Sequence, residues 1–218
     1  MSEKIKSAHH YSKSIERFIR VSGLLFFLFG LLAVLLRITQ FAILGDPPIE
    51  KLVLAREFLV LQGIPSLLAA VFFLLGTTAL HLQQAHRAGT LGRVVFFLAF
   101  AAMTISSGAM WTYAFTAPVL AREIPALLTD PASGIVRAVI ASMFIGQIGW
   151  LLMGVIALRA NVIPRWAAVV AIGSILLAIA LTPFAETQFV RFMFNLLLGA
   201  GPLAVGWVLW RGPGGTDE

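Results

Sequence analysis

No Asp or Glu lies deep inside any of the long apolar runs of this chain, and no cysteine occurs anywhere in it. The absence of cysteine excludes disulfides, thiolate metal sites and c-type haem attachment. The absence of mid-run acids excludes proton coupling through a buried carboxylate, the usual relay of ion-coupled membrane carriers. The helical His-Glu-x-x-His signature of zinc proteases is missing as well. Haem held between membrane helices needs facing histidines at mid-depth, whereas His9, His10, His81 and His86 lie in the N-terminal segment or at one boundary. Ser106-Ser107-Gly108 offers a hydroxyl of the kind an intramembrane protease uses, but no mid-run histidine is present to activate it. Asp46 and Glu50, the acids nearest in pattern to a lipid-modifying site, have a spacing that matches no metal- or phosphate-binding motif. Neither a catalytic set, a metal site nor a cofactor is therefore expected.

What the sequence does have is hydrocarbon-like character. Of 218 residues, 59% are hydrophobic and 12% charged, against about 25% charged in soluble domains. A bilayer helix needs about 20 mainly apolar residues. Six runs meet that length, at about 20–43, 58–80, 93–116, 136–158, 165–183 and 189–210. The expected architecture is all-α and polytopic: a basic segment over 1–19, one transmembrane domain over 20–211 and a disordered tail over 212–218. The first run is too long for the core of a signal peptide and reads as an uncleaved span.

Lys and Arg in short loops are retained on the cytoplasmic side. With the N-terminus inside, ten of the sixteen bases fall on the inner segments, while the outer side carries six bases matched by six acids. Both termini are thus expected in the cytoplasm. The net charge of +6 follows from this bias and from attraction to anionic lipid. Nucleic acid is not an expected partner, since no basic stripe interleaved with aromatics in a soluble module is present. Membrane lipids are, and so is another membrane protein or a second copy of the chain.

A repeat emerges when the inward-running spans are aligned. Gly76 to His81, Gly154 to Arg159 and Gly206 to Arg211 each place a glycine five residues before a base, and Val-Leu-Ala-Arg-Glu occurs at both 53–57 and 119–123. Two accounts are open: three helical hairpins in parallel orientation, or bases placed by orientation in helices where glycine is common. The outer links differ from the tight, basic inner ones. Residues 49–57 are expected as a short surface helix, and Pro118 to Gly134 as an interfacial segment.

Gly154 to Arg159, followed by Ala160-Asn161-Val162-Ile163-Pro164-Arg165-Trp166 and an apolar stretch with Gly173, resembles a family of six-span bacterial membrane proteins catalogued as a domain of unknown function. The resemblance implies six spans and a bacterial inner-membrane location. It brings no catalytic residues.

Polar side chains retained in hydrocarbon usually face the bundle interior. Arg37, Gln40, Gln62, Trp111, Tyr113, Gln147 and Asn195 cluster at mid-depth or toward the outer side, which suggests a polar interior opening outward. Thr104, Ser107, Gly108, Trp111 and Phe115 share one helix face. Gly63-Ile64-Pro65 and Gly199-Ala200-Gly201-Pro202 are expected to bend their helices at similar depth, because a mid-helix proline removes a backbone hydrogen bond. The cluster reads either as interhelical glue or as a ligand vestibule. Gly23, Gly30, Gly146, Gly149 and Gly154 read as close-packing positions. The leading functional expectation is a noncatalytic accessory subunit or small sensor. The alternative is a facilitative carrier or binder of a small apolar or weakly anionic molecule or lipid.

Overall fold

The computed structural model describes residues 2–44, 56–130, 132–182 and 188–212. All regular structure among them is helical. The elements are α1 (Ser2–Leu44), α2 (Arg56–Trp111), a π-helical turn (Thr112–Thr116), α3 (Ala117–Glu123), α4 (Ala126–Thr129), α5 (Gly134–Ala160), α6 (Arg165–Leu181) and α7 (Gln188–Arg211). Four helical stretches are long and apolar enough to cross a membrane, and α6 is a shorter apolar helix. The chain is therefore an all-helical protein of membrane character. The expected surface helix at 49–57 and the tail beyond Gly212 fall wholly or mostly outside the described residues. Helix α1 runs unbroken from Ser2 to Leu44, through the basic segment and the first apolar run.

Gly89 interrupts α2 with φ 60° and ψ −150°, a backbone state essentially confined to glycine. This one residue folds α2 into two antiparallel arms, 56–88 and 90–111. His81 stacks on Phe96 at 3.9 Å, and a Cβ on Gly63 would collide with Ala114. Both contacts require that reversal, since along a straight helix residues 81 and 96 would be separated by about 22 Å.

The other contacts close a ring in which neighbours in sequence are neighbours in space. Helix α1 packs on the first arm of α2, the second arm on α5, α5 on α6, α6 on α7, and α7 on α1. Small residues set the spacing. On α1, Gly23 meets Leu209 at 2.6 Å from an added Cβ, and Gly30 meets the Gly199 carbonyl at 2.7 Å. Positions 23 and 30 are seven apart on α1, as are 199 and 206 on α7, so each pair recurs on one helix face. On α5, an added Cβ at Gly146 would meet Ser106 at 2.9 Å, one at Gly149 would meet Ala102 at 2.9 Å, and one at Gly154 would meet Ile172 at 3.0 Å. The five expected packing glycines all lie against a neighbouring helix. Apolar burial hardly drives helices together in lipid, so backbone approach of this kind carries much of the association.

The three glycines of the sequence repeat have different neighbours. Gly76 faces Phe26 on α1, the partner in its own hairpin, whereas Gly154 faces α6 and Gly206 faces Phe27, each across to another hairpin.

The bundle has two unlike ends. The basal end carries Arg20 and Arg211, and the distal end carries the π-helical turn with α3 and α4. The contiguous core lies in the basal half and centre: Phe26, Leu80, Met153 and Leu209 are 0% exposed and Trp150 2%. Phe26, Phe73 and Trp150 form a triangle of edge-to-face rings with centroids 5.2 to 5.3 Å apart. Val94, Phe97, Leu98 and Ile105 on the second arm of α2 point away from the bundle and are exposed, as suits a surface solvated by hydrocarbon.

Candidate functional site

Hydroxyl groups along the helices are satisfied by their own backbone. Thr77 donates to the Phe73 carbonyl at 2.9 Å, Ser107 to Met103 at 2.8 Å and Ser174 to Ala171 at 3.0 Å. Amides have no such local escape. The Oε1 atoms of Gln83, Gln84 and Gln147, the Nε1 of Trp150 and the Nδ1 of His81 are buried without a hydrogen-bond partner among the described residues.

These atoms belong to two helices that meet along the bundle axis. Phe73, Thr77, Leu80 and Gln84 share one face of the first arm of α2, spaced by four, three and four residues. Gln84 is 0% exposed, and its Nε2 reaches the Met153 sulfur at 3.7 Å, a weak acceptor. On α5, Gln147, Trp150 and Met153 follow at steps of three. The Trp150 Nε1 lies 3.2 Å from where a Cβ on Gly201 would stand, so glycine at 201 makes room for the indole. The result is a central column of uncharged hydrogen-bonding groups between aromatic rings. It supplies donors and acceptors for water or a neutral polar group.

Below the column, the first arm of α2 continues about two turns past the expected span and docks on the α5–α6 link. Gln83 Nε2 donates to the Val162 carbonyl at 3.3 Å and Arg87 Nη1 to the Asn161 carbonyl at 3.1 Å. Asn161 adopts the left-handed cap conformation with φ 51° and ψ 44°, a role asparagine fills more readily than most residues. Sequence reasoning placed the end of span two at residue 80 and passed over Gln83 and Gln84. The available signal was register, since Gln84 continues the face set by Thr77 and Leu80.

A cleft of about 300 Å³ opens at the distal end, lined by Ile64, Ala114, Phe115, Pro118, Val119, Arg122 and Glu123. Its shape follows from two prolines and a glycine. Pro118 brings no N–H to the carbonyl four residues earlier, and the ladder widens into the π turn, where the Ala117 N–H bonds the Thr112 carbonyl. Such π bulges are frequent at functional sites. Pro65 follows Ile64 inside the first arm, while Gly63 lets that arm touch Ala114 at the base of the cleft. Arg122 and Glu123 pair at 3.4 Å at the mouth, both side chains largely exposed. The cleft is thus apolar within and carries one charge of each sign at its rim.

The residues expected to form an outward vestibule are unevenly described. The side chains of Arg37, Gln40, Gln62, Tyr113 and Asn195 lie outside the described residues. Trp111 is 56% exposed and packs on Phe115 at 4.4 Å, whereas Gln147 turns its carbonyl into the bundle, so these two face different surroundings. Thr104, Gly108, Trp111 and Phe115 do share a face, but it is an exposed one and not the interior. Self-satisfied hydroxyls make this tolerable in lipid: Thr104 donates to its own Phe100 carbonyl at 2.9 Å.

No protein-family model, curated protein or solved structure matches the chain.

Proposed function

We propose that this chain is a six-span protein of a bacterial inner membrane, with both termini in the cytoplasm, that works by binding and not by catalysis, as an accessory subunit or small sensor. The observation that carries this reading is the filled axis: Phe26, Phe73, Trp150 and Met153 occupy the centre of the basal half, where a carrier would need a path.

Six crossings are favoured by length. The apolar stretch Gly63–Glu123 holds 61 residues, about 90 Å of helix at 1.5 Å per residue, against a hydrocarbon core of about 30 Å. Folded at Gly89, it supplies two crossings. Helix α6, with 17 residues, meets the lower limit of about 17 for a span. Alternating rods in a ring then return the C-terminus to the side of the N-terminus, in agreement with the basic bias.

The cleft between Ile64 and Val119 favours a second reading, the binding of a lipid or other apolar ligand from the outer side. The filled axis favours binding over facilitated flux.

Because the natural chain has no cysteine, single introduced cysteines report sidedness cleanly. Ala132→Cys is expected to react with an impermeant maleimide in intact cells, and Thr216→Cys only after the membrane is opened. The reverse pattern overturns the orientation. Extraction in mild detergent is expected to recover a stoichiometric partner, and a fully functional isolated monomer would count against the accessory role.

A further inference from the structure

We propose that the distal cleft holds the headgroup and upper chain of a zwitterionic phospholipid, with the phosphate on Arg122, the ammonium on Glu123 and the chain along Ile64, Phe115 and Val119. The proposal rests on the bilayer reading above and assigns the cleft an occupant. Three observations converge on it.

The first is charge. Arg122 and Glu123 stand 3.4 Å apart at the mouth, so the rim is neutral overall yet strongly dipolar. An anionic headgroup would satisfy the guanidinium but set its charge against the Glu123 carboxylate. A headgroup carrying phosphate and ammonium two carbons apart satisfies both, replacing one surface ion pair of little worth with two charge-assisted contacts. A neutral ligand would use neither.

The second is the cleft wall. Ala114, Phe115, Pro118 and Val119 offer carbon without hydrogen-bonding side chains, and Ile64, Phe115 and Val119 are 51%, 46% and 58% exposed. In a bilayer that exposure is toward acyl chains, so a lipid can enter sideways without crossing water. At about 300 Å³ the cleft sits at the lower end of ligand pockets, which suits a headgroup and its first methylenes but not a whole lipid.

The third is position. The chain stays helical from α2 through the π turn into α3, so the apolar wall of residues 114–119 precedes Arg122 and Glu123 along one rod, in the order a lipid presents chain and headgroup. Tryptophan favours the same interfacial level, and Trp111 packs on Phe115 beside the cleft at 4.4 Å.

The test uses the full-length protein, stripped of lipid in detergent and titrated with dihexanoyl phosphatidylethanolamine or dihexanoyl phosphatidylglycerol, following bound lipid by native mass spectrometry and unfolding by heat. The expected result is retention of phosphatidylethanolamine in preference to phosphatidylglycerol, with a rise in melting temperature. Arg122→Ala should weaken phosphatidylethanolamine binding roughly tenfold through loss of a charge-assisted contact. Glu123→Gln should keep binding but abolish the discrimination, and Val119→Trp should block the cleft for both lipids. Equal retention of the two lipids by the natural protein overturns the proposal, as does unchanged preference in both Glu123→Gln and Val119→Trp, neither of which disturbs a buried group. Should cysteine labelling place the cleft on the cytoplasmic side while lipid preference persists, orientation fails and the lipid site stands. Correct labelling with no preference sinks the lipid site alone.

Discussion

At the basal end of the bundle, glycines draw α1 and α7 into backbone contact and aromatic rings fill the axis. At the distal end, a π turn and two short helices leave a cleft. The difference lies in which residues occupy equivalent depths. Gly23, Gly30, Gly199 and Gly206 recur at heptad spacing on facing surfaces, and an antiparallel pair of helices can then approach along several turns. On the distal side Pro65 and Pro118 each remove a backbone hydrogen bond from adjacent segments, and a cleft opens beside the Gly63–Ala114 contact. A bundle anchored at one end and open at the other is suited to holding something at the open end. Binding there need not disturb the anchor.

Substitutions ranked by effect sharpen that contrast. Trp150→Ala removes the largest piece of the axial packing and is expected to lower stability by about 3–5 kcal/mol, measured by denaturant unfolding in mixed micelles. A loss below 1 kcal/mol, by the same cavity argument, would mean that the basal core is not close-packed. Gly206→Val places carbon against the Phe27 backbone and the Gly23 carbonyl and should cost about 3 kcal/mol, since backbone on both sides cannot yield as a flexible side chain would.

Gln84→Leu tests the column in the opposite direction. Its Oε1 is buried without a partner among the described residues, so replacement by an apolar side chain of similar size should raise stability by about 1 kcal/mol. Destabilisation instead would reveal that the carbonyl has a partner, such as an internal water. Smallest is Gly108→Ala, where nothing stands within 4 Å of an added Cβ; the change should stay within about 0.5 kcal/mol. A large loss there would erase the distinction between packing glycines and incidental ones.

Much of the helical frame was legible from composition and periodicity. Each of the six apolar runs lies in helical structure, apart from the end of the fifth, where α6 stops at Leu181, Thr182 caps it and residue 183 falls outside the described residues. The packing glycines were legible too, because small residues at helical spacing in lipid-soluble segments have few other uses. Less visible was the length of the first arm of α2: His81, Gln83, Gln84 and Arg87 look like a polar link, yet they stay helical because the α5–α6 link offers Asn161 and Val162 carbonyls to receive them. The face of Thr104, Ser107 and Trp111 was recognised as a face but assigned to the interior. Periodicity fixes which residues point the same way and leaves open toward what. The cleft was not anticipated, since its walls come from residues about 50 positions apart, joined by the turn at Gly89.

Sequence alone determined that this chain is helical and apolar enough for a membrane, because backbone groups in hydrocarbon must be satisfied within a segment and apolar runs of sufficient length do so only as helices. The tertiary structure decided which helices touch, where the axis is filled and where it opens. Those outcomes depend on pairing between faces distant in the chain, and a single strand of residues does not encode its own neighbours by local pattern.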